Sequence, residues 1–143
     1  MTNFDRCFEF LCKREGWYSN DHSDYGGETI LGIARNYWPN EFEAIKALPD
    51  DEKLAYAHDF YENHFWLHFK CYTYDWPLCL IIFDSRVNSG RSFYVEGDDW
   101  KDVLFRRIEY HNLRVQENVT QLKFLRGWIN RCLLLYKEAK NAI

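Results

Sequence analysis

The 143-residue chain has one methionine, three prolines and seven glycines, and no proline-rich, low-complexity or internally repeated stretch. That excludes a repeat solenoid and argues against a flexible linker between separate domains, so one domain over residues 1–143 is expected. No apolar run approaches the ~18 residues needed to cross a bilayer. The longest, PLCLIIF, is core-sized, so no stable membrane insertion is expected. The opening MTNFDRCFEF lacks the basic segment and apolar run of a secretory signal. The five cysteines, Cys7, Cys12, Cys71, Cys79 and Cys132, are odd in number and form no C-x-x-C pair. This argues against a structural zinc site or a dense disulfide framework, and for free thiols in a reducing cytoplasm.

What is present is aromatic and charged. Six Trp, ten Tyr and eleven Phe exceed what a core of this size needs, so some rings are expected at the surface, where rings stack on sugars, bases or partner proteins. The net charge of −4 is unevenly spread. Residues 1–100 carry nine Lys and Arg against 18 Asp and Glu, whereas residues 101–143 carry nine against four. The basic segment suits an anionic polymer. Its charges are spread along helices rather than clustered with aromatics and the acidic half repels phosphate, so no nucleic-acid partner is expected.

Periodicity points to a mostly helical chain. Phe4, Cys7, Phe8 and Leu11 fall at i, i+3, i+4, i+7, with Thr2 or Asn3 to cap the helix and Gly16 to stop it. A second helix is predicted in PDDEKLAYAHDFYENHFW, with Asp50 as cap and Leu54, Ala57 and Tyr61 on its inner face. WPLCLIIFDSRVNSG predicts a buried central helix from about Pro77 to Asn88 and Gly90. Asp98 or Asp99 is placed to cap a helix over about 100–115. A last helix over 119–141 repeats Leu122, Leu125 and Ile129, with Asn118 as its cap. Between the first two helices, residues 17–33 lose helical periodicity and gather turn formers, which predicts a short β-hairpin or compact loop.

That interruption, EGWYSNDHSDYGGETILGI at 15–33, holds four acids, three rings and a glycine pair. Glu15 falls at the end of the first helix, where the partial negative charge of the helix disfavours a carboxylate. A local rule broken in this way often marks function. Cleaving a glycosidic bond needs one acid to protonate the leaving oxygen and a second carboxylate across a groove; in inverting enzymes the second holds a water. Glu15, then eight residues, Asp24, then four residues, and Thr29 supply that set. Asp21 rivals Asp24 in the same loop. His22 with Asp21 and Asp24, and His58 with Asp59, match no common metal-ligand spacing, so neither a metal nor another cofactor is expected.

Glu-x8-Asp-x4-Thr resembles the catalytic signature of phage-type lysozymes. The whole segment is similar to the opening of glycoside hydrolase family 108, N-acetylmuramidases that read E-G-G-Y, a loop, then D-x-G-G-x-T-x-x-G-I. Here Trp17 replaces the second glycine of the first piece, and residues 24–33 match throughout. FDSRVNSG at 83–90 resembles the family's D-x-x-V-N-x-G helix, and FLRGWINR at 124–131 its C-terminal G-W-x-x-R. The resemblance implies a lysozyme-like α+β fold: a helical bundle with a small β-hairpin or loop after the first helix. It implies a muramidase that cleaves the β-1,4 bond between N-acetylmuramic acid and N-acetylglucosamine, with inversion. Glu15 would be the general acid, and Asp24 and Thr29 would position the water. Trp17, Tyr18, Tyr25, Gly26, Gly27 and Asn88 would bind the glycan strand.

The family's peptidoglycan-binding-like stretch is shortened here, near 91–103, to RSFYVEGDDWKDV. The expected protein is a monomeric phage endolysin made in the host cytoplasm and released to the wall. The alternative is a catalytically silent peptidoglycan-binding protein on the same fold, against which the presence of both Glu15 and Asp24 speaks. Asp84 is expected to be a structural hydrogen-bonder within its helix. Trp128 and Arg131 are expected to be a core pair that packs the last helix on the active-site helix.

Overall fold

The computed structural model of the chain describes residues 1–21 and 25–141. It divides into two units, Met1–His68 and Phe69–Ile143. The first unit opens with α1 (Asn3–Glu15). Thr2 accepts from the Asp5 amide and Asp5 caps the Thr2 amide in return, a capping box that satisfies amides the helix leaves open. Phe4, Cys7, Phe8, Phe10 and Leu11 are buried on its inner face.

After Gly16 the chain forms a small antiparallel sheet in the order β1 (Tyr18–Asn20), β2 (Glu28–Ile30), β3 (Ile33–Ala34). The register pairs Tyr18 with Ile30, Ser19 with Thr29 and Asn20 with Glu28. Ile30, Ile33 and Ala34 are buried, and α2 (Pro39–Ala47) packs on β2 and β3 with Phe42 and Ile45 inward. The unit continues through α3 (Asp50–Tyr61) and a π-helical turn, Glu62–Leu67.

Two expectations for α3 are corrected. Pro49 is the boundary residue and no side chain caps the helix; Asp50 is already its first residue, where its carboxylate pairs with Lys53 at 3.2 Å. Proline's fixed φ and missing N–H suit it to such a boundary. The inner face is Lys53, Ala57, Phe60 and Tyr61, whereas Leu54 is exposed. The Lys53 stem takes the inward position because its ammonium donates to the Leu48 carbonyl.

The second unit holds a 3-10 turn (Cys71–Thr73), α4 (Leu78–Ser89), α5 (Trp100–Glu117), a second 3-10 turn (Val119–Gln121) and α6 (Leu122–Lys140). Cys79 to Ser85 are all buried, as expected of a helix that is apolar nearly all round. Gly90, at φ 77°, ends α4 by donating to the Arg86 carbonyl. Asp99 and Asp102 form the capping box of α5, and Asn118 accepts from Thr120 at the turn before α6. The helices α4, α5 and α6 pack on one another.

The inner face of α6 differs from expectation. Cys132, Leu135 and Ala139 are buried, while Leu122 is exposed and Leu125 and Ile129 are half-buried. Trp128 takes the contact with α5, stacking on His111 at 4.9 Å between centroids. The chain is thus mainly α, with a small sheet directly after the first helix, as the sequence predicts. Among the described residues no helix is long and apolar enough to cross a membrane.

Candidate functional site

Glu15 is the last residue of α1. Gly16, at φ 71°, turns the chain away and donates to the Cys12 carbonyl. That leaves the Glu15 side chain half-buried at the helix end. Burial, with the charge of Glu15 added, pushes the Cys12 thiol up to about 11. Beyond Gly16, the Leu31 amide donates to the Trp17 carbonyl at 2.8 Å and ties the exit of α1 to the turn between β2 and β3.

That turn is built around Gly32, whose φ is 79°. A methyl group on Gly32 would lie 2.6 Å from the Tyr61 hydroxyl oxygen and 2.9 Å from Glu15 Cγ. The glycine near the end of the 24–33 motif is therefore a spatial requirement: it gives room to the stem of Glu15.

The sheet distributes the remaining residues by alternation. Ser19 and Thr29 are direct cross-strand partners and share one face, while Asn20 and Glu28 pair on the other. Thr29 thus stands beside a second hydroxyl, Ser19, which sequence reasoning did not single out. On the Glu28 face, the Tyr18 hydroxyl donates to Glu28 at 2.7 Å and Arg35 donates at 3.3 Å. The bond from Tyr18, with the charges of Lys46 and Arg35, holds the Glu28 carboxyl below its ordinary range, and the same bond pushes the Tyr18 hydroxyl up. Glu28 is therefore an ionised clasp of the hairpin.

Of the expected glycan-binding rings, Trp17 is 45% exposed, Tyr18 55% and Tyr25 65%. Such exposure of large rings is the arrangement that stacking on a sugar requires. The turn at 25–27 is held by Asn36, another residue missed in the sequence. Its side chain donates to the Tyr25 carbonyl at 2.9 Å and its amide to the Gly26 carbonyl at 3.2 Å. Gly27 sits at φ 69°, and a methyl there would come within 2.8 Å of the Asn36 side chain. Asp24 and His22 lie outside the described residues. Asp21 is exposed.

Asn88 belongs to α4 of the second unit, where its side-chain oxygen accepts from Arg107 at 3.1 Å. The same guanidinium donates to Asp84 at 2.8 Å and Ser85 at 3.2 Å. Arg131 reaches the other side of Asp84, also at 2.8 Å. Burial by itself pushes the Asp84 carboxyl up, but the guanidiniums of Arg131 and Arg107 outweigh it and hold it below the ordinary range. Asp84 is thus a buried structural anchor.

A family model described as Glycosyl hydrolase 108 matches residues 8–90. The matched span contains both EGWYSNDHSDYGGETILGI and FDSRVNSG and ends before FLRGWINR. No curated protein and no solved structure matches the chain.

Proposed function

The chain belongs to the glycosyl hydrolase 108 family, and from that premise we propose that it hydrolyses peptidoglycan as an N-acetylmuramidase. The carrying observation is the placement of Glu15. Its side chain projects from a helix end beside Gly32, in the turn that follows the strand bearing Thr29. A glycan strand lies along the exposed rings of Trp17, Tyr18 and Tyr25 and the tight turn at Gly26 and Gly27. Glu15 gives its proton to the glycosidic oxygen, which leaves C1 of N-acetylmuramic acid and stays on C4 of N-acetylglucosamine as a hydroxyl. Asp24 and Thr29 hold a water that attacks C1 of N-acetylmuramic acid from the opposite face, inverting that centre.

In biological terms the reading is a monomeric phage endolysin, made in the host cytoplasm and released to the wall. The free thiols of the described residues suit a reducing compartment and support it.

The test is the release of new reducing ends from purified cell walls by wild type and Glu15→Gln. Wild type is expected to release muropeptides and the variant, still folded, to release almost none. A folded Glu15→Gln protein that lyses walls at the wild-type rate removes Glu15 from the mechanism. A wild type that binds walls without cutting them makes the protein a silent binder. Proton NMR of the first products assigns the stereochemistry, with the α-anomer expected for inversion.

A further inference from the structure

Tyr61 closes α3 and is 1% exposed. Its ring packs on Phe8 of α1 at 6.2 Å between centroids and on Phe60 at 5.0 Å, so the phenol is anchored on the helix that carries Glu15. Its hydroxyl donates to the Leu31 carbonyl at 2.8 Å. Leu31 has φ 49°, in the left-handed region that a residue with a branched side chain seldom occupies. The hydrogen bond holds this unfavourable residue in place and so fixes Gly32 after it. The same α-carbon of Gly32 then faces both the Tyr61 hydroxyl and the Cβ and Cγ of Glu15, with no room for a methyl group against either. The end of α1, the β2–β3 turn and the end of α3 meet at Gly32.

Resting on the reading of Glu15 as the general acid, we propose that Tyr61 is a positioning residue for it, acting through the Leu31–Gly32 turn. The phenol pins the turn, and the turn walls in the Glu15 stem so that its carboxyl meets the glycosidic oxygen in one orientation. Without the hydroxyl, Leu31 relaxes, the turn backs away and Glu15 gains rotamers. Proton transfer depends steeply on that geometry.

The experiment measures kcat and KM on soluble peptidoglycan oligomers, well below each protein's melting temperature. The proteins are wild type, Tyr61→Phe, Gly32→Ala, Glu15→Gln and Tyr56→Phe, the last changing a tyrosine elsewhere on α3. Tyr61→Phe and Gly32→Ala are expected to lower kcat about 10- to 100-fold with KM within about two-fold, and Tyr56→Phe to match wild type. Wild-type kcat in both test variants overturns the proposal. So does a rise in KM that accounts for the loss, or an equal loss in Tyr56→Phe. Should Tyr61→Phe fail to fold, Gly32→Ala, which keeps the phenol but crowds it and the Glu15 stem, decides by the same split. Glu15→Gln separates the two levels. If it retains wild-type kcat, the acid assignment falls and this proposal with it. If it is inactive while Tyr61→Phe and Gly32→Ala retain wild-type kcat, the positioning role alone falls.

Discussion

In the first unit, Trp17, Tyr18 and Tyr25 stand in water and Glu15 is half-buried. In the second, a cluster of charged side chains is sealed. Arg107 is fully buried against Asp84, Ser85, Asn88 and His111, and Arg131 closes the other side of Asp84. Both regions contain acids on helices, and position along the chain does not tell them apart. Asp84 has two guanidiniums and no access to solvent, so its charge is spent on holding α4, α5 and α6 together. Glu15 ends a helix beside a hairpin and keeps part of its surface in solvent. The comparison teaches that an acid's function follows from what faces it more than from where the sequence places it.

Removing one partner of the sealed cluster tests this most severely. Asp84→Ala leaves Arg107 buried without its carboxylate and is expected to cost about 3–5 kcal/mol of stability, read from urea or thermal unfolding. An unchanged midpoint would mean the cluster is not a structural anchor. Glu15→Gln is expected to do the reverse: activity falls on the order of 10³-fold, about 4 kcal/mol in the barrier. Its unfolding midpoint moves by no more than about 0.5 kcal/mol.

The third prediction concerns pH. Burial, aided by the charges of Arg107 and Arg114, pushes His111 down to about 4 from an ordinary 6.5. Its Nε2 is placed to accept from Arg107 at 3.5 Å, which suits a neutral ring. Because the folded value is depressed, the unfolded chain takes up the proton first. Stability is therefore fully present above pH 6.5 and is lost as pH falls from about 6.5 towards about 4, by up to about 3 kcal/mol. His111→Gln is expected to flatten that slope in pH-dependent melts, and a slope that survives the substitution would place its origin elsewhere.

The smallest effect lies where the two units are alike. Thr2→Ala and Asp99→Ala each remove a capping box and are each expected to cost about 1 kcal/mol. A much larger loss at one of them would reveal a tertiary role there.

Legibility followed the range of the interaction. The start and stop of α1, the glycine stop of α4 and a cap at Asp98 or Asp99 are readable, because each depends on residues within one helical turn. The hairpin was readable as an interruption of period. Ser19 and Asn36 were not, since Ser19 acquires its place beside Thr29 through strand register and Asn36 reaches back eleven residues to Tyr25. Leu54 misled for the same reason: helical spacing says which residues share a face, and tertiary packing says which face turns inward.

The sequence by itself determined the helical class, the position of the sheet and the Glu15-to-Ile33 motif that identifies the family, because periodicity, caps and turn residues act locally. Only the tertiary structure decided that Gly32 must be bare, that Tyr61 stands over the Leu31 carbonyl, and that Arg107 and His111 lie inside the protein. Those outcomes depend on groups tens of residues apart coming within a few ångströms. Steric exclusion and the cost of burying an unpaired charge operate only once that has happened.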